Sequence, residues 1–184
     1  MLFRSDGNLA EAIQLFWEVM DVQLPSAANN CELYVFTRWD IVGPWIEAVR
    51  LLGRHGFSYK MMLVWDKGIP GMGDIDSNWG CGHELILYCK KGRRDVNFRR
   101  SSIIHVDKMG AGQNIHETEK PAELIEKLLE VSTSEGDWVV DPFSGSGSTA
   151  VAAQRLNRNS IGFEINPKYI EPSRRRLEQK AFTF

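Results

Sequence analysis

The densest chemistry in the chain lies in the run Asp141-Pro142-Phe143-Ser144-Gly145-Ser146-Gly147-Ser148-Thr149-Ala150. Glycines at 145 and 147 let the backbone turn sharply and let a ligand approach it closely. A helix that opens at such a turn offers unpaired N–H groups to the ligand. Glu164 follows 23 positions on (141 to 164). A carboxylate at about that spacing, at the end of the next strand, can accept hydrogen bonds from two ribose hydroxyls. Together they point to a nucleoside-containing cofactor. Gly145-x-Gly147-x-x-Ala150 also fits the loose dinucleotide fingerprint, so NAD stays open, as does a tight turn with no ligand. No Lys follows the glycines, which speaks against a triphosphate loop.

A second cluster is basic. Lys90, Lys91, Arg93, Arg94, Arg99 and Arg100 fall within eleven positions and are opposed only by Asp95. Such a cluster suits phosphate contacts, whose strength falls steeply with salt. A solvated basic loop is the alternative. The formal net charge of −2 gives no global argument for nucleic acid, so the local cluster carries it. Cys81-x-His83 lacks partner ligands at metal-binding spacing, and His83-Glu84 lacks the second His of a metalloprotease helix. The three cysteines form no C-x-x-C pair. That argues against a disulfide framework or zinc site and fits a reducing compartment. No apolar run is long enough to span a bilayer, and no signal-peptide pattern opens the chain. The expected setting is cytoplasmic, with no membrane partner.

The elements that must position these residues alternate between short apolar strands and amphipathic helices, the pattern of an α/β fold. A helix is predicted over 8–22, with Leu9, Ile13, Phe16, Trp17 and Met20 at helical spacing and Asp6 or Asn8 as cap. Strands follow at 33–37, 58–65 and 84–89, with a helix over 41–53 that holds Pro44 in its first turn and Gly53 near its end. The Gly-rich stretch 68–82 reads as a loop, and a polar, basic stretch runs from Lys90 to about Ile115. A helix near 119–131, a strand at 138–141, a helix at 147–156, a strand at 160–164 and a terminal helix at 167–180 complete the chain. With 184 residues, a single domain is expected. Its first half would span 1–90, its basic segment 90–115 and its cofactor-binding half 116–184.

Asp-Pro-Phe-x-Gly-Ser-Gly resembles the cofactor motif of the β-class amino-methyltransferases, which methylate adenine N6 or cytosine N4 in DNA. Other segments match the family in order. His116-Glu117-Thr118-Glu119-Lys120-Pro121 resembles its His-x-Thr-x-Lys-Pro segment. Ile161-Gly162-Phe163-Glu164 resembles its second cofactor strand, and Tyr169 with Arg176-Leu177 resembles the helix after it. Trp65-x-Lys67, His83-Glu84-Leu85-Ile86-Leu87 and Lys91-Gly92 resemble the paired strands of its catalytic half. The resemblance implies a Rossmann-like methyltransferase sheet, mostly parallel. It also implies S-adenosylmethionine as cofactor and double-stranded DNA as partner. Its activity would be methyl transfer to an exocyclic amino group, with adenine N6 ahead of cytosine N4, in a restriction–modification setting. By the same resemblance, Asp141, Phe143, Ser144, Gly145 and Gly147 line the cofactor, with Phe143 packing on it. Glu164 holds the ribose, and Thr118 and Lys120 lie near the methionine end. For Lys120, a solvated lysine in a first helical turn is the competing reading.

The family places its target base over a tetrapeptide of Asp, Asn or Ser, then Pro-Pro, then an aromatic residue. The oxygens accept the amine's hydrogens, and the ring stacks on the flipped base. None of the seven prolines here are adjacent, so the tetrapeptide is absent from this sequence and no catalytic residue is assigned. Family order would put it, its strand and the strand before that ahead of residue 1. Three readings follow: a longer active methyltransferase, a catalytically dead cofactor-binding remnant or interaction module, or a sheet completed by a dimer partner or a complementing N-terminal segment.

Overall fold

The computed structural model describes residues 8–69, 79–93, 95–108 and 119–180. They form two compact units. One holds the chain before residue 96 together with 101–105; the other holds 96–100 and the chain from 106 onward.

In the first unit, helix α1 (Leu9–Gln23) is capped by Asn8, whose Oδ1 accepts the N–H of Ala10 at 3.0 Å. This satisfies one of the donors a helix start leaves unpaired. Its inward stripe is Ala12, Phe16 and Met20. Strand β1 (Cys31–Thr37) leads to α2 (Val42–Arg50), which buries Trp45, Ala48 and Val49. Pro44 sits in the first turn of α2, where its missing N–H breaks no helical hydrogen bond. A 3-10 turn, Leu51–His55, extends this helix and ends at Gly56, whose φ of +84° is left-handed. Gly56, and not the expected Gly53, therefore closes the segment. Strands β2 (Phe57–Asp66), β3 (His83–Lys91) and β4 (Ile103–His105) complete a sheet of order β1-β3-β2-β4.

This sheet departs from the mostly parallel arrangement expected. β3 runs antiparallel to both β1 and β2, and only β4 pairs with β2 in parallel. An antiparallel return needs no crossover helix; most of the Gly-rich stretch expected as a loop, residues 70–78, lies outside the described residues. Leu85, Ile86 and Leu87 are buried in succession, so both faces of β3 are covered.

The second unit contains α3 (Ala122–Ser132), β5 (Trp138–Asp141), α4 (Ser148–Arg155), β6 (Asn159–Gly162) and α5 (Pro167–Lys180). β5 and β6 pair in parallel, with Val140 opposite Ile161, and α4 is the crossover between them. Leu124, Ile125, Leu128 and Leu129 of α3 and Val151, Ala152 and Ala153 of α4 supply its apolar core. The Asn97 amide closes the end of α3 by donating to the carbonyls of Glu130 (2.8 Å) and Thr133 (2.7 Å). Those carbonyls have no partner within the helix.

Candidate functional site

The turn between β5 and α4 is built by its own side chains. One oxygen of Asp141 accepts the N–H of Phe143 at 3.0 Å, and the other accepts the Thr149 hydroxyl at 2.6 Å. The carboxylate thus ties the end of β5 to the start of the turn and to the first turn of α4. Backbone bonds from Ser144 N to Phe163 O (2.9 Å) and from Phe163 N to Asp141 O (2.9 Å) fix the turn against β6 and the chain beyond it. A methyl group added to Gly162 would approach Ser144 Cβ to 2.9 Å, so this packing depends on glycine.

The two glycines of the turn differ in role. Gly147 has φ +78°, and a Cβ there would lie 2.2 Å from Ser173 Oγ of α5. It is a packing glycine. Gly145 has φ +51°, and among the described residues nothing but its own chain neighbours lies within 4 Å of where its Cβ would stand. It is open. Beside it, Glu164 Oε2 accepts the Gly145 N–H at 2.8 Å, while Oε1 accepts the Asn166 N–H at 2.7 Å. The carboxylate is therefore aimed at the turn, 23 positions from Asp141 in sequence (141 to 164) and adjacent to it in space. Each carboxylate oxygen offers about two acceptor sites, so Glu164 can take hydroxyl donors in addition to these amides.

Lys120 is only 4% exposed and lies two positions before α3, with Pro121 between as its cap residue. The solvated-lysine reading is thereby replaced by a buried one. Its neighbour Glu119 is also buried and pairs with Arg176 of α5. Thr118 lies outside the described residues, as does His116. Phe143 and Ser144 are half-buried within the turn. Sequence reasoning gave no site role to Thr149, Asn166, Ser173 or Arg176: Thr149 bonds Asp141, the Asn166 N–H bonds Glu164, Ser173 abuts Gly147, and Arg176 reaches the Ser146 carbonyl. The Asx-type bond of Asp141 to the amide two residues on is a general habit of such side chains at turns, and Glu164 makes a bond of the same i+2 spacing. At Asp141 that habit was the available clue to local pinning.

The basic cluster divides. Lys90 and Lys91 are the last residues of β3 and not part of a loop. Lys90 lies 3.5 Å from Glu32, and Lys91 Nζ donates to the Ala27 carbonyl at 3.3 Å. Arg100 pairs with Glu130 at 2.6 Å and lies over the Phe98 ring. Arg93 and Arg99 are exposed, and Arg94 lies outside the described residues.

A parallel strand–helix–strand unit with an acidic residue facing a glycine turn, in a chain that also carries a mixed four-stranded sheet, defines a nucleotide-cofactor α/β protein of the methyltransferase type. The comparisons with known proteins narrow this. The DNA methylase family model matches residues 97–175. The Type II methyltransferase M2.DpnII of Streptococcus pneumoniae is 48% identical over 156 residues, covering 72% of this chain and 56% of that protein. M1.MboII of Moraxella bovis is 42% identical over 169 residues, covering 67% of this chain and 64% of that protein. The solved structure of the M1.HpyAVI–SAM complex superimposes with a TM-score of 0.76 at 25% identity, over 91% of this chain and 82% of that one. The chain belongs to the DNA amino-methyltransferase family, and it spans less than two thirds of these two curated relatives.

Proposed function

We propose that this chain binds S-adenosylmethionine at the 141–147 turn. The protein it belongs to then transfers the methyl group to an exocyclic amino nitrogen of double-stranded DNA, adenine N6 ahead of cytosine N4. One observation carries this reading: Glu164 is held on the N–H of Gly145, a residue whose Cβ side is open, so an acceptor for a ribose hydroxyl and room for a close backbone approach occur at one turn. Asp141, Phe143, Ser144, Gly145 and Gly147 would line the adenosine part. Buried Lys120, with Thr118, would receive the methionine carboxylate. The cofactor supplies an electrophilic methyl group on a sulfonium. What these residues supply is binding and orientation, the part of catalysis that comes from holding reactants in register. A cytoplasmic setting goes with this reading, and among the described residues no helix is long and apolar enough to cross a membrane.

A second reading is favoured by the lack of adjacent prolines. Without the tetrapeptide, nothing in these 184 residues would localise the amine's lone pair, and the chain alone would bind cofactor without turning over. Calorimetry with S-adenosylmethionine, S-adenosylhomocysteine and NAD tests the cofactor proposal. Binding of the first two is expected, and binding of NAD alone would overturn it. A methylation assay on unmodified DNA should show no turnover by this chain; measurable turnover would remove the second reading.

For DNA, Arg93 and Arg99, together with Arg94, are the proposed phosphate contacts, since Lys90, Lys91 and Arg100 already hold protein acceptors. The Arg93→Gln/Arg99→Gln variant should bind DNA more weakly. Its log Kd against log salt slope should fall by about 2, since each lost phosphate contact removes about 0.9. An unchanged slope would clear these arginines of the role.

A further inference from the structure

Three arginines follow one another in α5, and they do different things. Arg174 pairs with Glu178 and Arg175 with Glu171, both on the exposed surface at i,i+4 spacing. Arg176 is turned inward by the next 100° or so of helical rotation. Its Nη1 donates to Glu119 Oε1, to the Ser146 carbonyl at 3.4 Å and to Ser148 Oγ at 3.3 Å. The side chains of this pair are 15% and 1% exposed. One turn earlier on the same face, Ser173 abuts Gly147. The face of α5 that carries Ser173 and Arg176 therefore packs against the back of the glycine turn.

The consequence concerns Lys120. Glu119 is its immediate neighbour in sequence, and both are buried. A buried carboxylate is costly unless it is paired, so the Glu119–Arg176 pair fixes where this stretch of chain runs. The same guanidinium nitrogen reaches the turn at Ser146 and the start of α4 at Ser148. The segment before α3 and the glycine turn are thus joined through one atom. We propose that Arg176 is a positioning residue: it sets Lys120 in register with the turn, so that the methionine end and the adenosine end of one ligand are met together. The proposal rests on the cofactor reading above and assigns Arg176 a role that touches neither the cofactor nor the DNA.

The test compares two ligands on the full chain. S-adenosylhomocysteine carries the amino-acid end, and methylthioadenosine lacks it. In Arg176→Met and Glu119→Gln, S-adenosylhomocysteine should bind about tenfold more weakly, the worth of roughly one charge-assisted hydrogen bond. Methylthioadenosine should change by less than about twofold, because it makes no demand on Lys120. Arg176→Lys keeps the charge on a shorter stem and should fall between wild type and Arg176→Met. Circular dichroism and thermal melting identify variants that have not folded. Because Glu119→Gln is nearly isosteric, it keeps the test decisive if Arg176→Met fails to fold. Equal loss for both ligands, or no loss in folded variants, would overturn the positioning role while leaving the cofactor site intact. Failure of the wild-type chain to bind either ligand would instead overturn the cofactor reading, and this proposal with it.

Discussion

The two glycines of the turn sit in the same backbone region, yet they should respond differently to alanine. At Gly147 the added methyl meets Ser173 Oγ and the φ is +78°, so strain and overlap combine. Gly147→Ala should cost about 2 kcal/mol or more of stability, from roughly 1 kcal/mol for the left-handed backbone plus the displacement of α5. At Gly145 there is room, and only the backbone term of about 1 kcal/mol applies. The methyl would, however, fill the open side of a residue whose N–H is held by Glu164. Gly145→Ala should therefore melt only slightly lower than wild type and lose most of its affinity for S-adenosylmethionine. Denaturant midpoints and calorimetry separate the two. If Gly145→Ala binds normally, the open face is not where the ligand lies. Asp141 allows a check from behind the turn. Thr149→Val removes the donor to its second oxygen and should cost about 1–2 kcal/mol, with cofactor affinity falling only as far as the turn loosens.

At the scale of elements, the sequence was most readable where chemistry and periodicity coincide. The 138–141 strand and the 167–180 helix were legible to the residue, because an apolar strand ending in Asp-Pro and a Pro-started helix punctuate themselves. The polar stretch after Cys89 was not. Lys90 and Lys91 continue β3 because their stems pack while their heads find Ala27 and Glu32, a behaviour charge counting cannot show. β4 is three residues long and too short to carry a period. The inward turn of Arg176 was hidden among three identical side chains, since its partner lies 57 positions away in sequence. β3 also carries a pH-dependent liability. Cys89 is fully buried, and burial pushes its thiol up to about 12 from an ordinary value of 9.0. Tyr88 beside it is likewise pushed up to about 12, by burial first and then by the Glu32 charge. The unfolded chain sheds these protons first, so folded stability is intact below pH 9 and declines as pH rises from there toward 12. At pH 10 the thiol alone accounts for about 1.4 kcal/mol, one unit past its unfolded value. Urea midpoints at pH 7 and pH 10 should fall less in Cys89→Ala than in wild type. Parallel losses would show that the thiol is not the group responsible.

At the scale of the whole molecule, the β5–β6 ribbon carries a face that a stable protein in isolation would cover. Alternate residues of a strand share a face. Trp138 and Val140 therefore project together, Ile161 stands beside Val140 in register, and Phe163 follows two residues on. Their exposures run from 43% at Ile161 to 65% at Trp138. Among the described residues β5 pairs with β6 alone, so its second edge is open as well. Contiguous apolar surface of this kind marks a place where other protein belongs, and an open edge beside it is a template for pairing. The chain spans 56% of M2.DpnII and 64% of M1.MboII, so its relatives have further sequence with which to cover such a face. Purified alone, it should bind an apolar dye such as ANS in its folded state and associate as concentration rises. Val140→Thr with Ile161→Thr keeps β-branched residues in both strands while lowering apolarity. That pair should reduce dye binding and association and leave cofactor affinity unchanged, because neither side chain belongs to the turn. Dye titration and sedimentation velocity across a hundredfold range of concentration check this. A wild-type chain that stays monomeric and dye-silent throughout would show that the face is covered by means these contacts do not include.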